Sequence, residues 1–180
     1  MEISGGTALG FRYGCIFGKT GLEKEIARSI ERLYPQLTAR PVRQIKHRSV
    51  NGVKSLIETT ALPGYVFVSV PSECCDINLF DCARVPDAYR LLTDGEGNWP
   101  LCGSDRDFAQ WIFEHDGLIG ISQAYQAGDR IELLSGPLKE LEGYLVKMDR
   151  RGRNGLIEVY FCGQARKLWL AFDYTRTRKL

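Results

Sequence analysis

The stretch GDRIELLSGPLKELEGYLVKMD, residues 128–149, decides how the second half of the chain is interpreted. Apolar residues alternate with polar ones before Gly136-Pro137, and a second apolar run follows Gly143, which predicts short strands joined by tight turns. Further runs at 156–161 and 168–172 bring the total to four or five strands in about 50 residues. We therefore predict a small β-barrel over residues 126–176, with its glycine turns setting the strand register.

The residues before this stretch follow a different pattern. Residues 118–125 lack periodicity and predict a short linker, whereas 10–117 alternate strand and helix signals. The signals are a strand at 11–17, a helix carrying Leu22, Ile26, Ile30 and Leu33, a hairpin over 42–60 turning at Asn51-Gly52, a buried strand at 65–70, a short helix at 77–83, a strand at 89–93 and a helix from an N-cap at Ser104 to about Gly117. They predict an α+β sandwich with a mostly antiparallel sheet.

Composition is that of an ordinary globular protein, with 180 residues, 44% hydrophobic and 26% charged. Nowhere does an uncharged apolar run approach the roughly 18 residues of a membrane span, and residues 1–10 have no leader-like pattern. The six cysteines are irregularly spaced, which favours free thiols in a reducing compartment over a disulfide framework. We therefore expect a cytoplasmic protein that does not bind membranes.

Positive charge is concentrated in the second half of the chain. Residues 1–124 hold 13 Lys and Arg against 15 Asp and Glu, a net charge of −2, whereas residues 125–180 hold 11 against 7, a net charge of +4. This difference in sign predicts two modules with different partners.

Residues 128–138 and 141–149 resemble the KOW motif in the order and spacing of their glycines and hydrophobic residues. The strand and helix after Phe11, followed by Leu62-Pro63-Gly64-Tyr65-Val66-Phe67-Val68, resemble the NGN domain of NusG proteins. The two motifs stand in the order of that family and together cover about residues 10–176. The resemblance implies an NGN domain over 10–117 and an SH3-like KOW barrel over 126–176.

Within the NusG family, the chain is most similar to the specialised paralogue LoaP, with UpxY and RfaH as neighbours. The basic turn Asp149-Arg150-Arg151-Gly152-Arg153, the turn at 135–139 and the short linker carry this finer resemblance.

The resemblance implies that the NGN domain binds a coiled coil on the clamp of RNA polymerase, in the largest subunit. Leu62, Tyr65 and Phe67 would make this contact, because they lie on and beside the Pro-Gly strand. Aromatic groups on one strand face give a large contact area. The alternative is that all three side chains simply belong to the core.

A second candidate site is the basic hairpin. Its cationic residues could touch the phosphates of non-template DNA, or could form an ordinary solvated strand face. They are Arg43, Lys46, His47, Arg48 and Lys54. No CxxC or HxxxH spacing accompanies His47, so neither a metal nor another cofactor is expected.

The third candidate site is the basic turn of the KOW module. Arginines on a tight loop can straddle RNA phosphates or stack on a splayed base, and the LoaP resemblance implies recognition of an RNA hairpin in the nascent transcript. The alternative is a charged turn that keeps a small barrel soluble. The candidate RNA-binding residues are Arg150, Arg151, Arg153, Lys139, Lys147, Arg166 and Lys167.

An enzyme is not expected, since the chain has no phosphate-binding glycine loop and no nucleophile elbow. We expect a monomeric transcription elongation and antitermination factor. The alternatives are a factor recruited by non-template DNA, as in RfaH and UpxY, a general NusG that contacts the ribosome or Rho through apolar residues such as Leu138 and Leu141, and a ribosome-associated KOW protein.

Overall fold

The computed structural model describes residues 10–94 and 96–175. The strands are β1 Phe11–Gly18, β2 Thr38–Pro41, β3 Arg43–Val50, β4 Val53–Thr60, β5 Tyr65–Pro71, β6 Ala88–Leu92, β7 Leu118–Ile119, β8 Ser122–Ala127, β9 Arg130–Ser135, β10 Leu145–Asp149, β11 Asn154–Phe161 and β12 Gln164–Tyr174. The helices are α1 Glu23–Leu33, α2 Leu79–Cys82, α3 Gly103–Glu114 and α4 Pro137–Glu140, with a 3₁₀ turn at Glu142–Tyr144. The predicted α+β class is confirmed. Among these residues, no helix has the length and apolar character needed to span a membrane.

The N-terminal sheet has the strand order β2-β5-β1-β6, and all its described ladders are antiparallel. Its central strand β5 is buried along Tyr65–Val70, as the continuous apolar run predicts. Successive side chains of a strand point to opposite faces, so Val66 and Val68 pack on α1 and α2 while Tyr65 and Phe67 lie on the other face.

Helix α1 is fixed to the turn before β5 by a buried carboxylate. Glu23 is 4% exposed, and its Oε1 accepts hydrogen bonds from the backbone N–H of Gly64 at 2.7 Å and of Gly21 at 3.0 Å. Gly64 has φ +84°, and a Cβ there would lie 2.7 Å from the Phe17 ring and 2.9 Å from the Gly18 carbonyl oxygen. The Leu62-Pro63-Gly64 turn therefore requires glycine at its third position.

Strands β3 and β4 form the predicted hairpin. They pair in full register from Arg43 opposite Thr60 to Val50 opposite Val53. Asn51 and Gly52 have φ +51° and +79°, the two positive φ values that a type I′ turn needs. The hairpin is not isolated, because β7 adds to β3 in parallel and makes a three-stranded sheet.

The C-terminal sheet has the order β10-β11-β12-β8-β9. Strand β12 pairs with β11 antiparallel and with β8 in parallel, so the first and last strands of the module are neighbours. Within the described residues its edges are β9 and β10, which α4 and the 3₁₀ turn connect. Residues 118–125, predicted to be a linker, instead contain β7 and the start of β8. The prediction missed β7 because it has two residues and its parallel partner β3 is distant in sequence.

Helix α3 also differs in its first turn from the prediction. It begins at Gly103 after Cys102, and no side chain caps it. Ser104 is therefore not the N-cap. Asp105 points out of the helix instead, and its two carboxylate oxygens accept from the backbone N–H of Cys162 in the C-terminal sheet, each at 3.1 Å.

The hydrophobic core has two parts. One fills the space between the N-terminal sheet and helices α1 and α2. The other is continuous across both modules, and joins Tyr13 and Phe67 of the N-terminal sheet to Phe108 of α3 and to Phe161 and Leu168 of the C-terminal sheet. The two modules are thus packed face to face, with apolar contact between them.

Candidate nucleic-acid interface

The predicted DNA-binding hairpin and the predicted RNA-binding turn meet in one cleft of about 290 Å³. One wall comes from the hairpin and the other from the turn between β10 and β11. The cleft is lined by His47, Arg48, Ser49, Lys54, Arg151, Gly152, Arg153 and Asn154. The structure therefore brings together two charged segments that are about 100 residues apart in sequence.

The hairpin wall owes its position to the register of β3 and β4. Arg48 lies opposite Ser55 and Ser49 lies opposite Lys54, so the cations stand close to the Asn51-Gly52 turn, and both are exposed. The turn sets this register and thereby places both cations at the same end of the ladder.

The opposite wall is a tight turn held by its own polar groups. Asp149 Oδ1 accepts from the backbone N–H of Gly152 at 3.0 Å, and the Asn154 side chain donates to the Gly152 carbonyl at 2.7 Å. Arg153 has φ +53°, a left-handed conformation that the sequence prediction did not include. This arrangement leaves Arg151 exposed at the rim of the cleft.

Asp173, near the end of β12, connects the two walls. Its Oδ1 accepts from the Arg153 guanidinium at 3.1 Å and lies 3.3 Å from Nε2 of His47, which is also 3.2 Å from the Phe172 carbonyl oxygen. A proton on the histidine Nε2 would be shared between these two acceptors. His47 and Arg153 are therefore engaged in the contact between the modules, and they are less available to a ligand than the other cations.

The remaining cations give the cleft its charge. Among the described residues, none forms an ion pair with Arg48, Lys54 or Arg151. None of the eight lining residues is acidic. Cations held near one another without ion-pair partners of their own favour binding of a polyanion, because ligand phosphates then replace diffuse counterions.

Other predicted RNA-binding residues lie outside the cleft. Arg150 bonds with Asp129, Lys139 pairs with Glu142 at 2.5 Å, and Lys167 pairs with Glu158 at 3.4 Å. Lys147 lies opposite Leu156 on β11, on the exposed side of β10.

Arg166 is also separated from the basic turn by the strand register. It lies opposite Val159, five residues along β11 from Asn154, which is about 16 Å. Its guanidinium lies 4.9 Å from the ring centroid of Tyr65, a cation–π contact between the modules. Arg166 and the neighbouring Lys167 therefore lie away from the basic turn.

Two predicted DNA-binding residues lie away from the cleft as well. Arg43, at the far end of the hairpin, pairs with Glu58 at 3.1 Å. Lys46 is half-buried and does not line the cleft. Arg48 and Lys54 are the two members of the predicted set that stand exposed in it.

The predicted polymerase-binding residues are buried in this conformation. Leu62, Tyr65 and Phe67 are 4%, 6% and 0% exposed. Phe161 of the C-terminal sheet contacts two of them, with ring centroids 6.3 Å from Tyr65 and 5.2 Å from Phe67. Of the two interpretations of these residues, the structure shows the core role here, because the apolar face of the C-terminal sheet covers their side chains.

Polar contacts surround this apolar interface. Besides the Asp105–Cys162 and Asp173–His47 contacts, Glu140 Oε2 accepts from the indole N–H of Trp111 at 2.7 Å and lies 3.1 Å from Nε2 of His115. Burial raises the pKa of the Cys162 thiol to about 12, with the neighbouring Asp105 carboxylate acting in the same direction. Burial also raises the pKa of Tyr65, although the Arg166 charge opposes the shift.

Leu138 and Leu141, predicted to contact a ribosomal protein or Rho in a general NusG, are buried inside the C-terminal module, 0% and 7% exposed. They act as core residues, the alternative role that a small barrel gives to leucines.

Several residues of the candidate site and of the contact between the modules were not predicted from the sequence. Ser49 and Asn154 line the cleft, while Asp105, Glu140 and Asp173 hold the modules together. Ser49 and Asn154 are neighbours of the predicted cations and could have been included on that ground. The three acidic residues carry no local signal, because their partners belong to the other module.

Comparison with known proteins adds no assignment for this arrangement. No protein-family model matches the chain, and no curated protein matches its sequence.

Proposed function

We propose that the chain is a monomeric, non-catalytic transcription elongation and antitermination factor of the NusG type that acts in the cytoplasm. It binds nascent RNA through the basic cleft and RNA polymerase through the apolar face of the N-terminal sheet. The observation that carries the proposal is the cleft, in which Arg48, Lys54 and Arg151 stand exposed without ion-pair partners among the described residues. The resemblance of residues 10–176 to paired NGN and KOW domains supplies the transcriptional setting.

The chemistry of the cleft favours RNA over a small ligand. Arginine side chains bind phosphates through two parallel hydrogen bonds and stack on unpaired bases. The Ser49 hydroxyl and the Asn154 amide add neutral hydrogen-bonding groups beside the cations. A cleft of about 290 Å³ takes a short length of one strand, such as the loop or one backbone of a hairpin.

The polymerase half of the proposal requires a change of conformation. Tyr65 and Phe67 can contact the clamp coiled coil only when the C-terminal sheet moves off the N-terminal sheet, since Phe161 covers both rings. The polar contacts at the rim, including the Asp105 carboxylate on the Cys162 backbone, favour the closed arrangement. The proposed docking surface is thus present but covered in this structure.

RNA binding is tested by fluorescence anisotropy with a labelled hairpin from a transcript leader. Arg151→Ala should weaken binding and lower the slope of log affinity against log salt by about 1, because one phosphate contact is lost. Arg84→Ala is the matched control, since it removes an arginine whose side chain is 82% exposed and which pairs with Asp81 away from the cleft. Equal affinities and slopes for the two variants would remove the basic turn from the RNA site.

Polymerase docking is tested by pull-down with purified bacterial core RNA polymerase. Asp105→Ala removes the acceptor of the Cys162 N–H, favours the open form, and should increase the bound fraction. Asp107→Ala is the matched control, because this carboxylate is 76% exposed and pairs with Arg106 on the same helix. If Asp105→Ala and Asp107→Ala bind the same fraction of polymerase, the docking surface lies elsewhere on the chain.

Non-template DNA is the second candidate ligand, because the hairpin forms one wall of the cleft. Single-stranded DNA of the same sequence as the RNA separates the two, since the 2′-hydroxyl distinguishes RNA from DNA at a site of otherwise equal charge. Tighter binding of the DNA strand would favour recruitment by the exposed strand of the transcription bubble.

A further inference from the structure

We infer that RNA binds across the cleft, in contact with the hairpin and the basic turn at once, and thereby holds the two modules in the closed arrangement. This inference rests on the proposed RNA-binding function and deepens it, because it assigns the hairpin cations Arg48 and Lys54 to the RNA site and states how that site is coupled to polymerase docking.

Each of the two modules supplies one wall of the cleft. Arg48, Ser49 and Lys54 come from the hairpin, and Arg151 to Asn154 come from the C-terminal sheet. The cleft therefore exists only while the two modules are in contact. A strand lying in it contacts exposed cations on both walls.

Without RNA, the contacts of Asp173 join the two walls of the cleft. Asp173 pairs with Arg153 of its own module and lies 3.3 Å from His47 of the hairpin. Its side chain is 36% exposed, so this contact is partly screened by water and contributes little by itself. A polyanion that pairs with Arg48, Lys54 and Arg151 adds further attraction across the same boundary.

RNA that contacts both walls changes the equilibrium between the closed and open forms. A ligand that contacts both walls binds the closed form more tightly than the open form, and shifts the population toward closure by that difference. Closure keeps Tyr65 and Phe67 under Phe161. Because coupling between two binding sites is reciprocal, RNA in the cleft weakens docking of polymerase at that face, and docked polymerase releases RNA from the hairpin wall.

The test is hydrogen exchange of the full chain, measured by mass spectrometry with and without a labelled 20-nucleotide RNA hairpin whose Kd is first measured by anisotropy. The peptide containing Cys162 reports closure, because the Cys162 backbone N–H donates to the Asp105 carboxylate across the boundary between the modules. At an RNA concentration 100 times the Kd, protection of the amides that exchange through opening should increase, up to about 100-fold if RNA binds the closed form only.

The variant pair Arg48→Ala with Lys54→Ala isolates the hairpin wall, because both side chains are exposed and lie at the turn end of the hairpin. It should keep weakened RNA binding through Arg151 and lose the RNA-induced protection of the Cys162 amide. The pair Arg32→Ala with Arg84→Ala is the control with the same loss of charge, and it should behave as wild type.

Each outcome decides between the two claims. The bridging mode is overturned if wild type binds RNA without a change in protection of the Cys162 amide, or if the Arg48→Ala, Lys54→Ala variant binds RNA with wild-type affinity. Either result leaves RNA binding at the basic turn intact. Failure of wild type to bind the RNA overturns both the bridging mode and the proposed function.

Discussion

Single side chains make the connections that neither helix nor strand geometry provides. Glu23 is the first residue of α1, and its carboxylate accepts a hydrogen bond from the backbone N–H of Gly64, in the turn before β5. Asp105 lies in the first turn of α3, and its carboxylate accepts from the backbone N–H of Cys162. Each carboxylate accepts backbone N–H groups that would otherwise be without a partner at a buried or half-buried position. These two residues are thus parts of the tertiary structure, although each lies where a helix-dipole argument would place an acid.

Replacing Glu23 should test the first of these connections. Glu23→Ala leaves the Gly64 and Gly21 N–H groups without acceptors, and should lower the free energy of unfolding by about 1–3 kcal/mol. Urea denaturation followed by tryptophan fluorescence measures the change. Glu25→Ala, an exposed position on the same helix turn, should change stability by less than about 0.5 kcal/mol. Similar losses in both variants would show that the buried contact does not contribute.

The buried thiols predict how stability depends on pH. Burial raises the pKa of Cys82 to about 11 and that of Cys162 to about 12, from the ordinary value of 9.0. The unfolded chain therefore releases these protons at a lower pH than the folded chain does. The stability that depends on these two protonated thiols is fully present below about pH 9, and it is lost as pH rises toward 11 and 12.

Urea midpoints of wild type and Cys162→Ala, measured from pH 8 to 10.5, check this dependence. The variant should lose less stability over that range than wild type does, since one of the linked protons is gone. Cys75→Ala, at an exposed thiol, should keep the wild-type dependence. The same slope in all three proteins would exclude Cys162 as a source of it.

The hairpin and its turn are the elements that define the cleft. Gly52 has φ +79° at the second central position of the turn, and a Cβ added there would have no heavy atom within 4 Å. Its requirement for glycine therefore comes from backbone conformation and not from crowding. Because Arg48 and Lys54 lie within three residues of this turn, its geometry controls where they stand at the cleft.

Gly52→Ala should therefore affect both the hairpin and its ligand. An alanine in the left-handed region destabilises the turn by about 1 kcal/mol. The turn should therefore fray, and the affinity for the RNA hairpin should fall several-fold in the anisotropy measurement. Gly143→Ala, at a position with ordinary φ and open space around the Cβ, should preserve RNA affinity. A wild-type affinity for Gly52→Ala would show that the turn does not position the cations.

At the scale of the whole molecule, the continuous core makes the two modules depend on one another. Phe161 lies in β11, and its ring contacts Phe67 at 5.2 Å and Phe108 at 5.7 Å. An apolar interface of this kind adds the stability of one module to that of the other, so that they unfold together.

Phe161→Ala should break this dependence. The substitution creates a cavity in the shared core and should lower the free energy of unfolding by about 3–5 kcal/mol. Urea unfolding followed by both tryptophan fluorescence and far-ultraviolet circular dichroism should change from one coincident transition to two separate ones. Tyr160→Ala, at the adjacent position with 67% exposure, should retain a single transition near the wild-type midpoint. One coincident transition in Phe161→Ala would argue against coupling through this ring.

Much of the element pattern could be predicted from the sequence because its signals are local. The Asn51-Gly52 hairpin, the buried strand after Gly64 and the short helix at α2 follow from turn chemistry and periodicity. Strand β2, over Thr38–Pro41, was missed because four residues carry little pattern. The left-handed Arg153 was missed because arginine rarely adopts that conformation.

The α+β class, the hairpin register and the two clusters of positive charge can be predicted from the sequence, because propensity, turn type and charge are properties of neighbouring residues. Tertiary packing places Tyr65 and Phe67 under Phe161, stacks Arg166 on Tyr65 and makes Arg48 line the same cleft as Arg151. The residues in each of these pairs are 94 to 103 positions apart in the sequence. These contacts depend on which apolar surfaces cover one another, and no local pattern in the chain encodes that choice.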